Sequence, residues 1–284
     1  METGEPSRTA IMAATARGLH RLEAATPWVF DDFLALVLVG PSWPEVRAEL
    51  VAAVSEPLFR ATSTMTVTRA RYTEDRLAAG RFDQYVLLGA GLDTFAWRRP
   101  DALAAGLRVF EVDHPASQAW KLARVEELGL PASERQVFVA VDFEVDTFDA
   151  GLDRAGFDWS ARTFFSWVGV LPYLTVDATE ATLRAVAKSA PGSEILLSYL
   201  IAPSLMEDVG RAFLDRFAVL AAGVGEPLQT VLTPEEAEAL VRRCGLEVVD
   251  HPSRADLHAR YYTGRADDVA PITFEQFLVA AVPG

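Results

Sequence analysis

Cysteine is nearly absent. Cys244 is the single one in 284 residues, so no intramolecular disulfide can form, and the chain suits a reducing compartment such as the cytoplasm. It closes a helical pattern just before Gly245 and reads as a buried, inert thiol. Long apolar runs are missing too. The longest in the N-terminal third, residues 33–39, is too short to span a bilayer. The first twenty residues carry Glu2, Glu5, Arg8 and Arg17 around no apolar core, which argues against a signal peptide and for a soluble protein. There is no Lys/Arg run, and the net charge is −14 at pH 7. Without a basic face, neither nucleic acid nor an anionic membrane is expected as a partner.

Metal-binding patterns are lacking as well. Asp142, Glu144, Asp146 and Asp149 offer oxygens, but the stretch has neither the central glycine nor the terminal Glu of a calcium loop. It reads as a solvated loop, and no metal is expected. Repeats and low-complexity linkers are also absent. What is present is a chain 50% hydrophobic and 10% aromatic, enough for one domain with a substantial core over residues 1–284. A homo-oligomer is compatible with this composition.

The chain is organised around residues 85–94, Tyr-Val-Leu-Leu-Gly-Ala-Gly-Leu-Asp-Thr. Four apolar residues make a strand buried on both faces, and Gly89-Ala90-Gly91 breaks it before a helical pattern from about Leu92. Glycines there allow a sharp turn and close approach of backbone to a ligand. A dinucleotide fingerprint would place a third glycine where Thr94 stands, and a pyrophosphate where Asp93 would repel it. A nicotinamide oxidoreductase is therefore the weaker reading. Asp93 tolerates a cationic ligand without phosphate, and S-adenosylmethionine (SAM) is one. Asp93 also suits a helix N-cap, and the two roles are compatible.

Residues 1–80 read as helical with no strand alternation, more than the sheet needs, so part of this layer should cover the ligand site. Within it, Arg69-Ala70-Arg71-Tyr72 could fork onto a carboxylate. Spacing alone favours a solvated face, since Arg71 with Asp75 forms an ordinary i,i+4 pair. From Tyr85 onward, residues 81–284 alternate strands and helices. The second strand, 108–112, ends in Glu111-Val112-Asp113, and Asp113 lies 22 residues past Gly91, where a nucleotide-binding sheet holds its ribose acid. Alternation points Glu111 and Asp113 to one face. The third strand, 136–141, delivers Asp142-Phe143, an acid and an aromatic suited to adenine. The fourth, 163–168, leads to Tyr173, whose hydroxyl should face the transferred group. Residues 194–200 make a fifth strand, and 246–249 with 277–282 an antiparallel edge hairpin. Thr233-Pro234-Glu235-Glu236 is a capping box opening a helix. The fold expected is a Rossmann-like, doubly wound, mostly parallel seven-stranded sheet under an N-terminal helical cap.

Together, Arg71-Tyr72, Gly89-Ala90-Gly91-Leu92-Asp93-Thr94, Phe110-Glu111-Val112-Asp113-His114-Pro115 with Lys121, Val141-Asp142-Phe143 and Gly169-Val170-Leu171-Pro172-Tyr173-Leu174 resemble the class I SAM-dependent methyltransferases. More narrowly they resemble the leucine carboxyl methyltransferase-like family, over nearly the whole chain. The resemblance implies SAM as cofactor and S-adenosylhomocysteine (SAH) as product. It implies that Arg71 holds the SAM carboxylate, that Gly89, Ala90 and Gly91 line the methionine, that Asp113 with Glu111 takes the ribose, and that Asp142 with Phe143 meets the adenine. One position departs from the family: many relatives carry Glu where this chain has Val168. The activity expected is O-methylation of a small-molecule acceptor. A carboxylate is the preferred acceptor because none of His20, His114, His251 and His258 has an evident acid partner. A hydroxyl acceptor, or a SAM-binding scaffold without turnover, are the alternatives.

Overall fold

Short apolar segments alternating with helical ones do build a mostly parallel sheet. In the computed structural model, which describes residues 7–142, 146–223, 225–267 and 270–284, seven strands form it. They are β1 (Gln84–Leu88), β2 (Arg108–Asp113), β3 (Gln136–Ala140), β4 (Thr163–Trp167), β5 (Glu194–Leu200), β6 (Glu247–Asp250) and β7 (Glu275–Ala281). Their order is β3-β2-β1-β4-β5-β7-β6. The first five run parallel, and β7 is antiparallel to both β5 and β6. The order switches between β1 and β4, so the loops leaving those strands diverge and open a crevice at their carboxyl ends. The antiparallel edge pair expected from sequence is present as β6 and β7. Its connection carries a helix, Arg254–Tyr261, opened by a Ser253–Asp256 capping box.

Strands β1, β4 and β5 are buried at every residue, which is why they read as continuous apolar runs. Successive side chains go to opposite faces. Val86, Phe110, Phe165 and Trp167 fill one core, and Tyr85, Leu87, Val109 and Phe164 fill the other.

Ahead of the sheet come α1 (Arg8–Glu23), α2 (Ala35–Val39), α3 (Trp43–Val54) and α4 (Glu56–Ala79). Met12, Leu50, Phe59 and Met65 from this layer pack with Leu200, Phe213 and Phe274, so the cap is seated over the carboxyl end of β5. The stretch 30–39, read as helical, is helical only from Ala35. Asp32 turns inward there, and its carboxylate accepts from Leu34 N at 3.2 Å and Ala35 N at 3.0 Å. Among the described residues, no helix is long and apolar enough to cross a membrane.

Candidate functional site

The glycine turn is pinned to the neighbouring strand. Gly89 N and Ala90 N both donate to Val112 O, at 2.9 and 3.1 Å. Gly89 and Gly91 have φ of 75° and 48°, in the region that disfavours side chains. A Cβ on Gly89 would collide with Val170, and one on Gly91 would stand 3.1 Å from Ala10 of α1. The turn thus lets both the loop after β4 and the cap close onto the backbone. Asp113, at the end of β2, accepts from Gly91 N and, at 2.7 Å, from His114 N. Burial pushes its carboxyl above the usual range. Asp93 accepts from Phe95 N at 2.7 Å from one residue before Thr94, which is the N-cap of the next helix, Phe95–Arg98. That helix is a single turn, not the longer one expected from Leu92, and so gives a pyrophosphate no extended N-terminus.

These loops open into a cavity of about 410 Å³. Gly89, Ala90, Gly91, Asp93, Asp113 and His114 line one end, and Met12, Leu50, Phe59, Met65, Phe213 and Phe274 line the other. Helix α4 contributes Thr62, Thr66, Arg69 and Thr73, a stripe at i+3 and i+4 spacing. Arg69 lies over Gly169, where a Cβ would stand 2.7 Å from its Nη1, and reaches Glu275 at 3.4 Å.

Several sequence expectations need correction against this geometry. Arg71 lies outside the cavity lining, because two residues along a helix turn a side chain about 200° away. It pairs with Asp75 at 2.8 Å, donates to Val29 O and lies over the Tyr261 ring, which is the solvated-face arrangement. Arg69, and not Arg71, lines the cavity. Glu111 also lies outside the lining. Its buried carboxylate meets Lys121 at 2.5 Å and Gln136 at 2.7 Å, tying β2 to β3 and to the helix Pro115–Glu127. Asp142 is half-buried past the end of β3 and is not in the lining, although Val141 N donates to Asp113 O at 2.9 Å and so places the two strand ends side by side. Phe143 lies outside the described residues. Tyr173 and Val168 do line the cavity.

The histidines divide differently than expected. His251 has an acid partner, Glu238 at 2.9 Å, and bonds Tyr199 on its other nitrogen, but neither lines the cavity. His114 lines it, yet its Nδ1 accepts from Ala116 N at 3.2 Å as a helix cap, which leaves Nε2 protonated in the neutral ring. His20 is buried, with Nε2 accepting from Val29 N at 3.0 Å.

Three buried or cavity-lining acids escaped the sequence reading. Asp32 is fully buried and accepts from Arg17 at 2.5 Å and Thr94 at 2.8 Å, with Arg98 at 3.5 Å. It joins the cap to the residue after Asp93, while Arg17 also donates to Leu92 O at 2.8 Å. Burial raises its carboxyl, but Arg17, Arg98 and the Thr94 hydroxyl outweigh that and hold it low. Glu226 and Glu275 line the cavity from distant parts of the chain. A polar threonine stripe in α4 was the one sequence signal pointing at Arg69; nothing local marked the glutamates.

Residues 10–187, more than half the chain, match the leucine carboxyl methyltransferase family. YktD of Bacillus subtilis (strain 168), which carries the name of a candidate SAM-dependent methyltransferase, is 30% identical over 296 residues, covering 95% of this chain and 96% of that protein. A protein of Mycolicibacterium smegmatis named in the same way is 32% identical over 204 residues, covering 66% of this chain and 61% of its own. The fold is shared with a crystal structure of a DUF574 family protein from Streptomyces avermitilis, with TM-score 0.61, 17% identity and coverage of 99% and 98%. The chain therefore belongs to the leucine carboxyl methyltransferase family of SAM-dependent methyltransferases.

Proposed function

We propose that the protein methylates an oxygen of a small, largely apolar acceptor held between the strand tips and the helical cap. One observation carries this reading. A single cavity runs from the glycine turn after β1 to an apolar chamber built by α1, α3, α4 and Phe274.

The polar end fits SAM group by group. Gly89 and Gly91 keep the turn's backbone bare of side chains, so that a ligand can approach it closely. Arg69 offers a fork for a carboxylate, and Asp93 an acid for an ammonium. Asp113, at the rim of the turn, can accept from a ribose diol. When bound, SAM supplies an electrophilic methyl carbon. The protein's part is alignment of the acceptor oxygen and exclusion of water by α1 and the cap. His114 is occupied as a cap and His251 lies elsewhere, so the histidines leave carboxylate and hydroxyl acceptors equally compatible.

Calorimetry followed by turnover tests the reading. SAM and SAH should bind and NAD should not. Methyl-labelled SAM with a fractionated metabolite extract should then label a low-mass product. Label released as methanol by mild alkali identifies an ester, and alkali-stable label an ether. NAD binding with SAM inert, or label found only in protein, would overturn it.

A further inference from the structure

Glu275 opens β7 opposite Leu200, the last residue of β5, and lines the cavity beside Arg69. It is 8% exposed, and among the described residues its one side-chain partner is Arg69 at 3.4 Å. A second carboxylate, Glu226, lines the same cavity, accepting from Ser7 Oγ at 2.9 Å and Thr9 Oγ1 at 2.6 Å. The wall around them is apolar: Met65, Leu200, Phe213, Phe217 and Phe274.

The cations on this lining are already engaged. Arg17 is held by buried Asp32 at 2.5 Å. Arg69 is shared with Glu275 and, on the reading above, turns to the carboxylate of SAM. An acceptor carboxylate would therefore sit in an apolar chamber beside two like charges with no cation left for it, an arrangement that low dielectric makes strongly unfavourable. A hydroxyl meets the opposite situation. It donates to a buried carboxylate that loses its partner when the cofactor arrives, and leaving that carboxylate unpaired is costly.

We infer that Glu275 selects the acceptor, which is an uncharged, largely apolar molecule presenting a hydroxyl. The inference rests on SAM-dependent methyl transfer. The acceptor oxygen bonds to the methyl carbon as the carbon–sulfur bond breaks with its electron pair on sulfur, and the hydroxyl proton passes to Glu275 and then to solvent. This carboxylate comes from β7, two strands along from Val168 at the end of β4.

The test uses 2-naphthol and 2-naphthoate, alike in shape and different in charge, titrated into the SAH-bound protein. 2-Naphthol should bind at least tenfold more tightly. In Glu275→Gln the ratio should fall to within about threefold, chiefly because naphthoate binds better. A gain in naphthoate binding is not something a damaged fold produces. Equal binding of the two probes to the wild type, no binding of either, or an unchanged ratio in the variant overturns the inference. If the variant fails to fold, the wild-type ratio still decides. Failure of SAM and SAH to bind the wild type would instead sink the methyltransferase reading itself.

Discussion

Arg69 rests directly on Gly169: a side-chain carbon at residue 169 would come within 2.7 Å of Nη1. Gly169 also has φ of 72° and donates its N–H to Ser198 Oγ at 2.8 Å. The fourth-strand loop is therefore shaped to let α4 bring its arginine down onto the strand tips. Gly169→Ala should cost about 1–2 kcal/mol in backbone conformation alone and displace Arg69 as well. SAM affinity measured by calorimetry should drop at least tenfold, and an affinity within twofold of wild type would show that this contact does not position the arginine.

The two arginines of α4 make opposite predictions. Arg69→Ala should weaken SAM binding by about 1.5–3 kcal/mol, the scale of a charge-assisted bidentate hydrogen bond. Arg69→Lys should recover only part, since one ammonium cannot reproduce the planar fork. Arg71→Ala should leave affinity within about twofold, because an exposed pair such as Arg71–Asp75 contributes little. The reverse pattern would restore the assignment that the family resemblance implied.

That exchange shows where the sequence was legible. Strand existence, the glycine turn and the β2 acid could be read because each rests on local chemistry: apolar runs, left-handed glycines, a carboxylate at a strand end. The choice between Arg69 and Arg71 depends on the azimuth of α4 against the sheet, which α1 and α3 fix through packing and no local pattern encodes. Glu111 failed for a related reason. It shares a face with Asp113, but the helix after β2 places Lys121 over it and turns it into a buried ion pair. Asp32 carries no local signal of burial, and only the tertiary arrival of Arg17, Arg98 and Thr94 makes its burial tolerable.

His20 predicts a pH dependence of stability. Burial first, and then the Arg265 guanidinium, hold its pKa down to about 4 from an ordinary 6.5. The folded state thus prefers the neutral ring, whose Nε2 accepts from Val29 N. Between pH 6.5 and 4 the unfolded chain binds more protons, so this contribution is complete above about pH 6.5 and is lost as pH falls toward 4. By pH 5 the loss should be roughly 2 kcal/mol. Urea unfolding at pH 7.5 and pH 5 should show it, and His20→Gln, which keeps an acceptor for Val29 N without titrating, should flatten that part of the difference. An equal pH dependence in the variant would assign it to other groups.

Tyr173 is the hydroxyl that the sequence placed nearest the transferred group, and its environment limits what it can do. Burial raises its pKa, and the charge of Glu226 raises it further, so the phenol stays protonated throughout the neutral range. A protonated phenol can donate a hydrogen bond or orient an oxygen, but it cannot take up the acceptor's proton. Its main chain is held independently of the ring, with N donating to Val170 O at 3.0 Å and O accepting from Gln229 Nε2 at 2.6 Å. Tyr173→Phe should therefore keep the loop in place and remove one neutral hydrogen bond, worth about 0.5–1.5 kcal/mol. With the acceptor recovered from the extract, kcat/KM should fall by no more than about tenfold, and the pH profile between roughly 6 and 9, below the ordinary tyrosine pKa, should keep its shape. A loss of about a thousandfold, the scale of a lost general base, together with the disappearance of an ascending limb, would make Tyr173 the base and remove that role from Glu275.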